Sequence, residues 1–206
     1  MKEKSFFVYL ASYLVLLIPT PGRFVFGFTL MIELFLLLIL GTLVILLINK
    51  FKLYELKTII LLFSMILIAV TFRQIFIMLQ PEIVLTLGYI IYLPPVSAFI
   101  ISFLHKNQDL NPVLLIKLNL TRALIFVIFG LLFFLFRDII GYGTFTFFGR
   151  QHQIFEKVIF DSNNIGILSF FATIPGTLLL SSLIAFLHLT IHQKFKIITN
   201  HLEEVK

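Results

Sequence analysis

The chain has 206 residues, of which 60% are hydrophobic and 13% are charged, and its formal net charge is +6 at pH 7. Soluble domains carry roughly 25% charged residues, so this composition excludes a soluble enzyme, which would have no core large enough for so much apolar surface. The sequence contains no cysteine, which excludes disulfides, a thiolate nucleophile and any metal or iron–sulfur site held by this chain's own thiolates.

Successive apolar segments predict an all-α, polytopic membrane protein with about six transmembrane segments. Ser5–Ile18 follows a charged start and is short, about 21 Å as a helix against about 30 Å of hydrocarbon, so whether it crosses or re-enters is left open. We expect Pro19 and Pro21 to end this first helix, and we do not expect it to be removed as a signal peptide. Phe24–Ile48 and Thr58–Leu79 are predicted to be full spans.

The second half of the chain repeats this organisation. Ile83–Leu104 is apolar but is interrupted by Pro94–Pro95. Val113–Phe136 is predicted to be the fifth span, and Arg137–Asn164 is a long mixed connection that contains several glycines. Ile165–His192 is predicted to be the sixth span.

The positions of lysine and arginine predict the orientation. With six crossings and the N-terminus inside, nine of these residues lie on inner segments and four on outer segments. The nine are Lys2, Lys4, Lys50, Lys52, Lys57, Lys106, Lys194, Lys196 and Lys206, and the four are Arg23, Arg137, Arg150 and Lys157. The positive-inside rule then places both termini on the cytoplasmic side of the cytoplasmic (inner) membrane. We interpret the positive charge in this way, and expect no nucleic-acid partner.

The two prolyl interruptions lie at corresponding places, because each precedes two long spans. They divide a single membrane domain, residues 1–206, into repeat 1 (about 5–79) and repeat 2 (about 83–192). Each repeat has three segments, so the two halves have opposite topology. Short or proline-broken segments in such positions are typical of an inverted repeat with a functional site where the broken helices meet. The alternative is that these are the ordinary prolines of membrane helices.

Two ionisable residues lie inside predicted spans. Glu33 and Arg73 are both roughly 10–14 Å from the outer end of their segments, at 1.5 Å per helical residue. Because isolated charges are costly at this depth, we expect an ion pair between the two helices. Its role is left open between a structural link and part of an ion or proton path.

The most specific string is R-D-I-I-G-Y-G-T-F at Arg137–Phe145. It resembles the R-E-I-(I/L)-G-x-G-(T/S)-L stretch of the Rnf/Nqr membrane-subunit family, especially the E subunit of the Rnf complex and the D subunit of sodium-translocating NADH:quinone reductase. Ile174–Gly176 is similar to the P-P-G-A-F that opens the last helix of that family. Pro81–Ile91, which contains Gly88, is similar to a third family segment. The resemblance spans essentially the whole chain and is weaker before Pro81.

The family resemblance implies a redox cluster, but this sequence lacks the cysteines that hold it in the family. In the family, each of two paired subunits supplies two cysteines, from its first and fourth helices, to a shared [2Fe–2S] cluster. Here the second motif reads Val96-Ser97-Ala98, with Ala98 at the cysteine position, and the first falls within Ile18–Pro21. We therefore expect the backbone design without the cluster, and no cofactor in this chain.

The resemblance also implies roles for other residues. Gly141 and Gly143 are expected to permit a tight turn at the end of the fifth span. Arg137 and Asp138, at that same end, are expected to form local contacts or to contact a partner chain. Pro175–Gly176 is expected to start or kink the sixth span.

Three functions remain open at this point. The first is a divergent Rnf/Nqr-type membrane subunit, at most a non-redox subunit of an ion-translocating oxidoreductase. It would pack against a homologous membrane subunit and other subunits of the complex, as a scaffold or ion path. The second is a small inverted-repeat transporter or channel with its site near Pro21, Pro94 and Ser97. The third is a structural or assembly protein of the membrane.

Overall fold

A computed structural model of the chain describes residues 12–103, 112–149, 153–160, 166–186 and 190. The regular secondary structure of these residues is helical apart from one short antiparallel hairpin between the fifth and last apolar segments. The helices are α1 (residues 12–17), α2 (Phe24–Phe51), α3 (Lys57–Leu79), α4 (Pro81–Leu87), α5 (Pro94–Phe103), α6 (Pro112–Tyr142) and α7 (Ile174–Phe186). The hairpin strands are β1 (Thr144–Phe148) and β2 (Ile154–Val158), and two 3₁₀ segments cover Gly88–Tyr92 and Gly166–Ala172.

Three of the described helices, α2, α3 and α6, are long and apolar enough to cross a bilayer. The 28 residues of α2 give a length of about 42 Å at 1.5 Å per residue, against about 30 Å of hydrocarbon. Only 22% of the apolar window of α3 is buried within the chain, so most of its surface faces outward. The predicted all-α membrane class is confirmed, whereas the six crossings and the inverted repeat stay predictions.

The fifth span is longer than the sequence predicted. Helix α6 continues past Phe136 to Tyr142, so Arg137 and Asp138 lie within the helix and are not at its end. Both side chains are almost completely buried. The prediction ended the helix there because two adjacent charges are typical of a membrane boundary. The helix continues because other segments of the chain supply these charges with hydrogen-bond partners.

The fourth apolar segment is interrupted, as predicted, but the break begins before the prolines. Helix α4 ends at Leu87, and the next residue, Gly88, has a φ of 54°, in the positive-φ region that favours glycine. A 3₁₀ segment follows, and α5 then starts at Pro94. Proline is favoured in the first turn of a helix because its missing N–H has no intrahelical acceptor there. Pro94–Pro95 therefore begins a helix rather than breaking one.

The last apolar segment is also divided. Residues Gly166–Ala172 form a 3₁₀ segment, and α7 starts at Ile174 with Pro175 in its first turn. The prediction that Pro175–Gly176 starts a helix is confirmed, but the continuous span from Ile165 is not observed in the described part. This is a third interruption, which the sequence analysis treated as one span.

The main helix–helix contact is between α2 and α6. Its closest approaches use glycine on one helix and a large side chain on the other. Gly27 of α2 faces the ring of Phe134, and Gly130 of α6 faces the side chain of Met31. Small residues let membrane helices approach closely, which increases van der Waals contact where lipid provides no hydrophobic driving force.

This packing makes Gly27 sensitive to substitution. A methyl group at residue 27 would overlap the ring of Phe134, and overpacking of this kind typically costs about 1–3 kcal/mol. Gly27→Ala is therefore expected to lower the thermal midpoint of the protein in detergent. This midpoint is measured by size exclusion after heating. Gly41→Ala is the matched control on α2, since its methyl would meet only the flexible end of Met65, at 3.1 Å. Equal midpoints for the two variants would contradict the predicted packing.

The hairpin was not predicted. Strand β1 reads Thr-Phe-Thr-Phe-Phe and pairs antiparallel with β2, with Thr146 opposite Glu156 and Phe147 opposite Phe155. Threonine and phenylalanine favour strands, and alternate residues face opposite sides. Thr144 and Thr146 are buried on the side that faces α6, whereas the rings of Phe145 and Phe147 stack near the start of α2. The hairpin thus covers the junction of α2 and α6.

Candidate functional site: a buried arginine and aspartate at the helix interruptions

Arg137 lies at the centre of the described structure with 1% of its surface exposed. Its Nη1 donates to the carbonyl oxygens of Leu17, at 3.2 Å, and Thr20, at 2.8 Å. Its Nη2 donates to the carbonyl oxygen of Ala172 at 2.8 Å, and its Nε donates to that of Phe171 at 3.3 Å. One guanidinium group therefore joins the end of α1 to the end of the second 3₁₀ segment.

Backbone carbonyls at helix ends explain why this charge is tolerated without a carboxylate beside it. The last carbonyls of a helix have no intrahelical donor and form the negative end of the helix dipole. Arginine carries five N–H donors in a rigid planar fork. In this structure the fork satisfies carbonyls that would otherwise be unpaired in an apolar environment, where each unpaired group costs several kcal/mol.

Asp138, the next residue, is fully buried and its carboxylate points to different partners. Its Oδ2 accepts from the backbone N–H of Phe24 at 3.0 Å, and from both the backbone N–H, at 2.9 Å, and the hydroxyl, at 2.7 Å, of Thr146. Its Oδ1 accepts from the hydroxyl of Thr144 at 3.0 Å. Consecutive helical residues point about 100° apart, so one residue pair serves two separate junctions.

This carboxylate caps α2 from another element. The N-cap residue of α2, Arg23, makes no side-chain capping bond. Asp138 instead accepts the first amide of α2, and the Thr146 hydroxyl accepts the second, that of Val25, at 3.3 Å. A negative group at a helix N-terminus is stabilised by the helix dipole and by the free amides. The start of α2 is therefore fixed by α6 and β1.

Small residues allow the interruptions to approach one another. A Cβ on Gly141 would lie 2.9 Å from the backbone nitrogen of Ala172, and one on Gly22 would lie 3.2 Å from the carbonyl oxygen of Ala172. Gly141 is helical, so the predicted turn there is wrong, and the glycine serves close packing. The turn is at Gly143, whose φ is 66° and whose N–H donates to the carbonyl of Ile139 at 3.0 Å.

The first and fourth segments, predicted to meet, do so through α1 and α5. The hydroxyl of Ser97 donates to the carbonyl of Ser12 at 3.0 Å. Ala98 is fully buried in the same apolar cluster as Leu16 and Leu17 of α1. The prolines that follow, Pro19–Pro21, lie in the loop before α2. The interruption after α1 is therefore bordered by α5 on one side and by Arg137 on the other.

The third interruption has its own cap. The hydroxyl of Thr173 accepts from the N–H of Gly176 at 3.4 Å, and the carbonyl of Thr173 accepts from the hydroxyl of Thr177 at 2.8 Å. A Cβ on Gly176 would lie 2.6 Å from the Cα of Phe171. Glycine at residue 176 thus lets the backbone before α7 fold back toward the carbonyls that bind Arg137.

Glu33 and Arg73 do not form the predicted ion pair. Glu33 is fully buried on α2, and neither of its carboxyl oxygens has a hydrogen-bond partner among the described residues. Arg73 is half-buried on α3, with its guanidinium 5.9 Å from the centroid of the Tyr92 ring. The sequence placed the two charges at a similar depth, but depth does not determine the direction in which each side chain points around its helix.

The residues at the family's cysteine positions do not fit a thiolate-held iron–sulfur cluster. Ala98 presents a methyl group to an apolar cluster, and Ile18–Pro21 offers no thiolate. Iron–sulfur clusters need soft, anionic sulfur ligands, which these side chains do not provide. The described residues also contain no group of three or more histidines or acidic residues placed to hold a metal ion.

The hydroxyl and carbonyl groups of this site were not predicted from the sequence. Thr20, Thr144 and Thr146 are buried beside Arg137 and Asp138. Their only local signal was the alternation of threonine with phenylalanine after Gly143.

Comparisons with known proteins add no further identification: no family model matches the chain, and neither a curated protein nor a solved structure is significantly similar to it.

Proposed function

We propose that this chain is a divergent membrane subunit of an Rnf/Nqr-type ion-translocating electron-transport complex, without iron–sulfur ligands of its own. The observation that carries the proposal is the set of contacts made by residues of the family-like string, Arg137–Phe145. Arg137, Asp138, Gly141 and Gly143, which carry the resemblance, build the junction of the interrupted segments. The most family-like residues thus have contacts that depend on interrupted helices, the architecture that the resemblance implies.

The proposed contribution of the chain is scaffold and ion path, not electron transfer. Ala98 belongs to an apolar cluster with Leu16 and Leu17, the last residues of α1. In this proposal the homologous membrane subunit packs against the chain as in the family, and two inverted repeats of three segments each underlie the fold. Electrons pass through other subunits, because four thiolates cannot be supplied when this chain contributes none.

The proposed location is the cytoplasmic membrane, with both termini on the cytoplasmic side. The burial of Arg137 supports this orientation, because its removal from the outer group reduces that group from four positive residues to three, against nine inside. The start of α2 and the hairpin lie on one side of the chain, joined by the surface ion pair of Arg23 and Glu156 at 3.0 Å. The proposal places the start of α2 and the hairpin on the outer side of the membrane.

A small transporter is the second candidate, since interrupted segments converge in the described structure. Transporters of this architecture leave a substrate site between the broken helices, where helix ends coordinate the cargo. Here the guanidinium of Arg137 already binds carbonyls at the interruption after α1 and at the one before α7. A cation would compete with this guanidinium for the same carbonyls and be repelled by its positive charge, which favours the scaffold over the transporter.

Purification of the full chain from its native membrane in mild detergent tests the proposal. A tag on the C-terminus is expected to co-purify a homologous membrane subunit together with flavin and iron–sulfur absorbance, and separation of the chain from them is expected to leave it without iron. Purification of the chain alone, with no redox subunit, would favour the transporter. A stoichiometric iron–sulfur spectrum from the isolated chain would refute the absence of a cluster.

A further inference from the structure

Glu33 is a buried carboxyl group that the proposed function does not use. It lies nine residues after the start of α2, or about 14 Å along the helix at 1.5 Å per residue. Its side chain is fully buried, and both oxygens lack partners among the described residues. Ionisable residues at membrane depth are costly and mark ion or proton pathways in many membrane proteins.

The neighbours of Glu33 on α2 identify the side to which it points. Phe26 and Leu30, seven and three residues earlier, share its helix face and belong to an apolar cluster with residues of α3 and the Gly88–Tyr92 segment. Leu37, four residues later, belongs to a second apolar cluster, to which α1, α3, α5 and α6 also contribute. The carboxyl group therefore lies between apolar surfaces of α2, α3 and the interrupted fourth segment.

No charged group pairs with the carboxyl group of Glu33 in the described structure. The elements that pack on α2 carry charges on α3, α4 and α6, while α5 and β1 carry none. These charged residues are Lys57, Arg73, Glu82, Lys117, Arg122, Arg137 and Asp138. None of them bonds to either oxygen of Glu33. Arg137 and Asp138 are engaged at the two junctions. The guanidinium of Arg73 lies 5.9 Å from the centroid of the Tyr92 ring, and its Nε has no hydrogen-bond partner among the described residues, Glu33 included.

The surroundings suit a proton better than a metal ion. A bound cation such as sodium or calcium needs several oxygen ligands. The Glu33 face of α2 carries hydrocarbon side chains and the buried hydroxyl of Thr29, which already donates to the carbonyl of Val25 at 2.9 Å. A proton needs only the carboxyl group itself. A neutral carboxylic acid also avoids the large desolvation cost of an unpaired carboxylate.

We propose that Glu33 is a proton-binding site within the bilayer. Its carboxyl group carries a proton while α2 is packed on α3 and the fourth segment, and it exchanges that proton when this packing opens to water. The inference goes beyond the proposed function, because a chain with no redox partner would have the same site.

Labelling of the full chain in lipid vesicles with dicyclohexylcarbodiimide tests this inference. The reagent adds a protonated carboxyl O–H across one of its C=N bonds, and the adduct rearranges to a stable N-acylurea that mass spectrometry locates. Glu33 is expected to be modified in preference to the exposed Glu82. Modification is expected to fall as pH rises, to be unchanged when choline chloride is replaced by sodium chloride, and to disappear in Glu33→Gln.

Absence of modification at Glu33 at every pH would overturn the inference, and so would protection by sodium, which would make the site a metal site.

Thermal midpoints in detergent give a second readout. Glu33→Gln is expected to match or exceed the wild-type midpoint, since the amide resembles the protonated acid in shape and charge. A loss in Glu33→Gln equal to that of Arg73→Gln would assign Glu33 to a structural ion pair and overturn the proposal. Neither readout requires a partner subunit.

Discussion

Replacement of Arg137 by alanine is expected to abolish most of the folded protein recovered in detergent. The substitution removes the guanidinium hydrogen bonds to the carbonyls of Leu17, Thr20, Phe171 and Ala172. Leaving a buried acceptor unsatisfied costs about 1–3 kcal/mol, so the loss of this set is expected to destabilise the fold by at least about 3–5 kcal/mol. The measurement is the monodisperse fraction on size exclusion, followed by the thermal midpoint of what remains.

Two further variants make the result for Arg137 specific. Arg137→Lys keeps the charge but replaces a planar five-donor fork with a compact three-donor ammonium, and it is expected to recover less than half of the lost stability. Arg122→Ala, on the same helix and half-buried, is the control for loss of an arginine and is expected to change stability by about 0.5 kcal/mol or less. Equal midpoints for Arg137→Ala and Arg122→Ala would contradict the role of Arg137.

Substitution of Asp138 is expected to destabilise the start of α2 in a graded series. Asp138→Ala leaves the amides of Phe24 and Thr146 unpaired and is expected to cost about 3 kcal/mol or more, since each buried unsatisfied donor costs about 1–3 kcal/mol. Asp138→Asn keeps one oxygen for these amides and presents its NH₂ group to a threonine hydroxyl. Its expected cost is about 1–2 kcal/mol, from the lost charge at the helix N-terminus.

Hydrogen exchange measured by mass spectrometry locates the effect of the Asp138 variants. The peptide at the start of α2 is expected to exchange faster in the order wild type, Asp138→Asn, Asp138→Ala, while the peptide of α3 changes less. Glu156→Gln is the control, because it breaks only the half-exposed ion pair with Arg23, which is worth up to about 1 kcal/mol. A uniform increase across the chain, or no order among the variants, would argue against a capping role.

The apolar helices and their ends were largely predictable from the sequence. Helix α3 begins one residue before the predicted Thr58 and ends at the predicted Leu79, and α2 begins at the predicted Phe24. Long apolar runs bounded by proline and polar residues carry this information locally. The early end of α1 before Pro19 was predictable for the same reason.

Of the candidate site, Arg137 and Asp138 were predictable from the sequence, but their contacts and the threonines beside them were not. The partners of Arg137 are 34 to 120 positions away in the chain, and all of them are backbone carbonyls. No side-chain pattern marks a carbonyl at a helix interruption. The prediction therefore ended α6 at these charges, when in fact distant segments satisfy them inside the structure.

The surroundings of Glu33 were also not predictable from the sequence. Its depth, together with that of Arg73, favoured an ion pair, because a buried charge needs a partner. The direction of each side chain depends on how α2 and α3 are rotated against each other, which apolar residues all round a membrane helix do not reveal. In the structure the carboxyl group faces hydrocarbon, and its partner is inferred to be a proton.

The central claim is that the short α1 packs against α5 beside the junction held by Arg137. A natural absence of cysteine makes this directly measurable, since any disulfide reports an introduced pair. In membranes, Ser12→Cys with Ser97→Cys is expected to cross-link rapidly on mild oxidation, because Ser97 bonds to the backbone of Ser12 at 3.0 Å. A mobility shift after proteolytic cleavage between α2 and α3 detects the bridge. Ser12→Cys with Val96→Cys, at an exposed neighbouring position, is expected to cross-link far more slowly; equal rates, or no bridge in the first pair, would contradict the account.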